Sequence, residues 1–237
     1  NGLTVILQEN HASPVVAFNV WVKVGSGDER DEESGIAHVL EHMVFKGTQR
    51  RKVGQIAQEV EAAGGDINAF TSFDQTVYHI CLASRFFDTG LDIMADAIQN
   101  STFEQSELKK ELEVVLEEVR RGEDIPSRRL FQALFAEAYQ IHPYRRPVIG
   151  TTETIKSFSR QDIVDFFRKW YVPSNMALVV TGDFKAKEVL PKIYTAFESW
   201  SATDFSEQPR KSEPSQSGLR IALLKDDVQE SHLNIAF

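Results

Sequence analysis

Residues 35–48 read GIAHVLEHMVFKGT, a stretch whose apolar and polar residues separate cleanly only on a helix lying against a core. Each helical residue advances by about 100°, so Ile36, Val39, Leu40 and Met43 form one stripe. His38 and His42, four apart, stack on the opposite side with Glu41 at their edge. A histidine pair turned away from the core stripe is not there to fill the core. It is either part of a solvated face or a pair of metal ligands.

The flanking sequence places this helix after two strands. LTVILQEN alternates at Leu3, Val5 and Leu7, and PVVAFNVWVKVGS is β-branched and aromatic with period two, so the two are expected to be neighbours in one sheet. Gly25-Ser26-Gly27 is read as a turn, because no Gly-Lys-Ser/Thr follows to make a phosphate loop. Ser34 is the expected N-cap and Gly47 the expected stop. Further helices are expected at about 52–63, 86–99, 104–121, 127–140 and 185–199, with another headed by Ser159. DINAFTSFDQTVYHICLAS and NMALVVTGD read as strands, and HPYRRPVIGT as a loop broken by Pro and Gly. Strands followed by runs of helices predict an α+β domain, with a largely antiparallel or mixed sheet covered by helices.

That domain is expected over 1–200. Residues 201–217, SATDFSEQPRKSEPSQS, have the composition of a linker. GLRIALLKDDVQESHLNIAF then echoes the start of the chain, with Gly218-Leu219 answering Gly2-Leu3, and is expected to begin a second copy of the domain over 218–237.

With 237 residues, 42% of them hydrophobic, the chain can bury a sizeable core. No apolar run approaches the ~18 residues of a membrane span. The chain opens on Asn rather than Met, pointing to a processed or shortened polypeptide, so the lack of a leader is uninformative about compartment. A net charge of −9 with scattered Lys and Arg argues against nucleic acid and leans weakly towards basic peptides. Cys81, the single cysteine, can make no internal disulfide and is expected to be a half-buried structural thiol on a strand. Asn100-Ser101-Thr102 fits a glycosylation sequon, a pattern common by chance.

Two imidazoles one turn apart can ligate one Zn²⁺, and a hydrolytic site then needs one more protein ligand and an open position for water. Glu41, beside the pair, is placed to take a proton from that water. His-x-x-Glu-His is the inverzincin order. For the third ligand, SELKKELEVVLEEVRRGED offers a helix whose core stripe is Leu108, Leu112, Val115 and Val119. Glu113 and Glu117 point away from it, whereas Glu111 and Glu118, seven apart, flank it on one side. Glu118 is the choice for the ligand and Glu111 for a supporting hydrogen bond or shared proton handling, with Glu107 on the same flank left open. A purely structural metal site would want a closed shell, normally with cysteines, and Cys81 stands alone.

With HVLEHMVFKGT, ELEVVLEE, NAFTSFDQTVYH, HPYRRPVIGT and FFRKWYVPSNMALVVTGDF in this order, the chain resembles the N-terminal half of a peptidase of the pitrilysin, insulinase and mitochondrial-processing-peptidase family. The resemblance implies one zinc ion per chain on His38, His42 and Glu118, with Glu41 as general base and Glu111 as the assisting glutamate. It implies an extended peptide substrate held at the sheet edge formed by Asn68, Ala69, Phe70 and Thr71. A homologous second half or subunit is expected to close over the cleft, with a dimeric full-length parent, and the half alone is expected to be a poor endopeptidase. The competing expectation is a non-catalytic structural or chaperone-like subunit of the same fold.

Overall fold

The computed structural model describes residues 1–201, 205–206 and 209–236. Period-two segments form β1 (Thr4–Glu9), β2 (Val15–Val22), β3 (Asp66–Thr71), β4 (Thr76–Ala83) and β5 (Met176–Gly182). They build one mixed five-stranded sheet in the order β1-β5-β2-β4-β3. β2 runs antiparallel to β4 and β5, β3 antiparallel to β4, and β1 parallel to β5. Alternation puts Val16, Phe18, Val20 and Val22 on one face with Tyr78, Ile80, Leu82, Leu178 and Val180, and all are buried.

The helices are α1 (Ile36–Val44), α2 (Gln55–Ala62), α3 (Phe87–Asn100), α4 (Gln105–Glu123), α5 (Pro126–Ala138), α6 (Thr152–Ser157), α7 (Arg160–Trp170) and α8 (Ala186–Phe197). They cover that face except for α5, which buries no residue and packs against α4. Leu40 and Met43 of α1, Ile93 and Met94 of α3, Leu108 and Val115 of α4 and Ile163 of α7 are fully buried in the shared core. Each such side chain contributes roughly 1.5–3 kcal/mol by leaving water. The result is an α+β fold with a mixed sheet.

Three expectations are corrected. β1 and β2 are not neighbours, because β5 lies between them. Residues 10–14 wrap over the end of β5, where the Asn10 N–H donates to Gly182 O at 2.7 Å and the Asp183 N–H to Val15 O at 2.8 Å. Alternation specifies membership of a sheet but not the order of strands within it. Ser34 is not the N-cap of α1. Gly35 takes that position with φ of 95°, and the Ser34 hydroxyl is buried without a partner. Cys81 is exposed, since the odd positions of β4 face away from the helices, on the side that carries exposed Ile6, Trp21 and Phe70.

Smaller differences lie at element ends. α2 begins at Gln55 rather than near 52, after Gly54 in the left-handed region, and the short α6 follows the HPYRRPVIGT loop under a Thr151 cap. Of the linker expected at 201–217, residues 202–204 and 207–208 lie outside the described residues, as does 237. From 209 to 236 neither strand nor helix forms, and Leu219, Ile221 and Leu223 are 85%, 76% and 81% exposed. The segment is nevertheless tied to the domain by polar contacts. The Glu213 carboxylate accepts the backbone N–H groups of Gln140, Ile141 and His142, and Arg210 pairs with Asp28 and Asp74.

The start of α1 is fixed by a close backbone contact. A Cβ on Gly35 would meet Ile149 O at 2.6 Å and Gly150 Cα at 2.8 Å, on top of the left-handed φ. Gly35→Ala is therefore expected to destabilise the protein by about 3 kcal/mol, checked by urea unfolding.

Candidate metal centre

Two helices carry the site. α1 is held at its beginning by Glu29, a carboxylate only 4% exposed, which accepts the Gly35 N–H and the Ala37 N–H at 2.9 Å each. These are amides that a helix start leaves without intrahelical partners. Burial pushes the Glu29 carboxyl up to about 8, opposed by the two amide hydrogen bonds and the Arg146 charge. Arg146 also donates to the Glu29 carbonyl at 2.6 Å and pairs with Asp31, tying the HPYRRPVIGT loop to the same point. At the other end of α1, the Ser101 hydroxyl donates to Val44 O at 2.6 Å. α4 lies alongside, seated by Leu108, Val115 and Leu116.

This packing brings together the residues that the spacing singled out. His38 Nε2 lies 3.8 Å from Glu118 Oε2 and His42 Nε2 lies 3.9 Å from the same oxygen. The two imidazole rings are 4.8 Å apart, centre to centre. One donor atom from each of the three residues falls within 4.8 Å of the others. With metal–ligand bonds of ~2.1 Å, a tetrahedral ion sets its ligand atoms roughly 3.4 Å apart. The two histidine–carboxylate distances need to shorten by only about half an ångström to reach that spacing, and two imidazoles with a carboxylate are the donor types of a divalent ion of the zinc class.

Neither histidine sits on a solvated face. Side-chain exposure is 13% for His38 and 20% for His42, because α4 roofs the polar side of α1. Burial, and then the neighbouring His42, push the His38 imidazole down to about 4. The ring is thus neutral at physiological pH, the form a metal needs.

Glu41 stands beside the triad. The Thr71 hydroxyl, at the end of β3, donates to its Oε2 at 2.6 Å. Burial raises the Glu41 carboxyl above its usual range, against the Thr71 hydrogen bond and the His42 charge, and the Glu118 carboxylate adds to the rise. Glu111, only 7% exposed, lies behind His42, with its Oε2 3.2 Å from His42 Nδ1. Glu107 does not join the cluster and pairs instead with Lys110 at 2.5 Å. A cleft of about 720 Å³ opens in front of the triad, lined by His38, Thr71, Phe73, Glu118, Phe131 and Phe135.

Of the edge block, Asn68 and Phe70 are exposed while Ala69 and Thr71 are half-buried. Phe70 is not core, being 44% exposed and edge-on to Trp21, and Phe73 stacks on Phe135 in the cleft wall. His79 is half-buried on β4, and His142 accepts the Tyr144 N–H through its ring at 3.3 Å. Two contacts escaped sequence reasoning. One is Glu29, whose signal is the acidic run before α1. The other is Lys46, whose Nζ is 2.6 Å from Glu111 Oε1 and whose signal is its place four residues after His42.

Residues 4–152 match the family profile described as Insulinase (Peptidase family M16), well over half of the chain. The chain belongs to peptidase family M16. Residues 157–237 match the profile described as Peptidase M16 inactive domain. The chain is 34% identical over 236 residues to the human mitochondrial-processing peptidase subunit beta, covering 100% of this chain and 48% of that protein. To an uncharacterized zinc protease of Bacillus subtilis it is 33% identical over 239 residues, covering 100% of this chain and 57% of the relative. The crystal structure of a protease from Helicobacter pylori superposes with a TM-score of 0.92 at 35% identity, over 96% of this chain and 56% of that one. The chain thus spans about half the length of the M16 relatives it matches. Among the described residues, no helix is long and apolar enough to cross a membrane.

The depressed His38 value has a consequence for the metal-free protein. Folding keeps His38 from binding a proton that the unfolded chain takes up readily, so between about 6.5 and about 4 the unfolded state holds more protons. Stability is expected to fall as pH falls through that window. Urea titrations of the metal-free protein across it should show the slope, flattened in His38→Gln.

Proposed function

We propose that this chain is the metal-bearing half of a zinc-dependent endopeptidase, with His38, His42 and Glu118 as metal ligands and Glu41 as the general base. The observation that carries the reading is the convergence of three donor side chains beside an additional, half-buried carboxylate. Three protein ligands leave a coordination position for water, the arrangement of hydrolytic rather than structural sites. A divalent ion held there supplies Lewis-acid polarisation of the scissile carbonyl and acidifies a water.

The chain's own residues do the rest. Glu41, poised by burial towards a proton-accepting pKa, takes the water's proton on the oxygen not engaged by Thr71 and passes it to the leaving amine. Glu111 accepts from His42 Nδ1 and so turns Nε2 towards Glu118, the assisting role proposed for it. β3 ends the sheet, so its outer edge is free among the described residues to pair with an extended peptide. Asn68, Ala69, Phe70 and Thr71 form that edge, and the Thr71–Glu41 hydrogen bond brings its end to the proposed base. Retention of Glu41 beside a complete triad favours this reading over a non-catalytic subunit of the same fold.

A peptide bound only on this side would leave its other face in water. The length of the M16 relatives therefore supports a homologous second half, or a partner subunit, closing the cleft over the substrate. We assign 1–200 to the metal-bearing domain and the alternating residues from 218 onward to the start of a further domain.

Glu41→Gln is expected to lower hydrolysis of a quenched peptide by about 10²–10⁴-fold while leaving zinc content unchanged. His42→Ala and Glu118→Gln are expected to lose zinc, read by elemental analysis after dialysis. Full zinc content in both ligand variants would overturn the assignment. This chain is expected to bind zinc yet cleave far more slowly than its full-length parent, and equal specific activity would refute the need for a second half.

A further inference from the structure

Glu111 lies between two basic side chains. Its Oε2 faces His42 Nδ1 at 3.2 Å and its Oε1 faces Lys46 Nζ at 2.6 Å. His42 stands on the last turn of α1 and Lys46 in the turn just beyond it, where the Lys46 N–H donates to Met43 O at 3.1 Å, and the two grip a carboxylate delivered by α4. We propose that Lys46 is a positioning residue for the metal site, acting through Glu111 to set the orientation and tautomer of His42.

A carboxylate only accepts hydrogen bonds, so the hydrogen between Glu111 and His42 sits on Nδ1. In the neutral ring this leaves the Nε2 lone pair bare, and Nε2 is the atom turned towards Glu118, 3.9 Å away. Glu111 can hold the ring this way only while its own rotamer is fixed. The side chain is 9% exposed, so solvent has little share in fixing it, and one of its two oxygens is committed to the ammonium group. Without Lys46, that oxygen loses its charged partner in a largely dry site. The carboxylate then gains by turning towards solvent, which releases the His42 ring. His38 has no such support, for its Nδ1 is buried without a partner among the described residues. The fixed orientation of the histidine pair therefore rests on the His42 side and passes through Lys46.

This inference rests on the ligand reading above, and the test separates the two. Zinc affinity of the intact protein is measured by competition with a chromophoric chelator for wild type, Lys46→Met, Lys46→Arg, Glu111→Gln and the Lys46→Met/Glu111→Gln double variant. Thermal unfolding of each metal-free form reports on the fold. Lys46→Met is expected to weaken zinc binding about 10- to 100-fold, with Lys46→Arg restoring most of it. The double variant should bind no more weakly than Glu111→Gln alone, since Lys46 acts only through that carboxylate. The visible spectrum of the Co²⁺-substituted protein should shift in Lys46→Met and return in Lys46→Arg. Unchanged affinity in Lys46→Met, or losses that simply add in the double variant, would overturn the role of Lys46 and leave the ligand assignment standing. Wild-type protein that takes up no zinc would overturn both.

Discussion

The site depends on how the first helix meets the fourth. α1 is short, too short to be stable alone, and its geometry is imposed from outside. The Glu29 carboxylate takes two of its free amides, and Gly35 packs backbone to backbone against Gly150. These contacts set where the helix starts and so which way His38 and His42 point. α4 supplies the remaining functional groups along one flank, and its buried leucine and valine side chains set the distance at which Glu111 and Glu118 reach across. Neither helix holds a site by itself.

Burial then gives these groups their chemistry. A histidine on an open helix face would titrate near ~6.5 and be partly protonated close to neutrality, and a glutamate there would be a weak base. Roofed by α4, His38 stays neutral and Glu41 becomes a better proton acceptor, each driven first by loss of water. The cleft keeps one side open, so His38 and Glu111 are largely dry while the Glu118 side chain, 42% exposed, faces solvent.

Much of this was legible in the residues. The phase of hydrophobic residues in 35–48 separated His38, Glu41 and His42 from the core, and the same reasoning on 105–123 chose Glu118 and Glu111 over Glu113 and Glu117. Glu107 stayed open because helix phase cannot tell how far along its axis a partner helix crosses. That is a tertiary fact, and in the fold Glu107 pairs with Lys110 instead. Phase also left exposure open, since a polar face looks solvated until the element that covers it is known. Ser34 had the right chemistry for a cap and the wrong neighbour, because a glutamate from a preceding loop reached the amides first. Strand order was hidden for a related reason: β5 is recognisable as a strand, but nothing in its own residues says that it inserts between β1 and β2.

That insertion bears on the order of events during synthesis. Every contact of β1 with its sheet neighbour joins a residue among 4–9 to one among 177–182, so β1 has no strand partner until β5 has left the ribosome. The β2–β4–β3 portion can pair much earlier, being linked by short sequence separations. Pairings so distant along the chain form slowly and leave apolar edges open to wrong partners meanwhile. A nascent polypeptide of this kind would hold its histidine helix on a half-built platform until β5 arrives between β1 and β2.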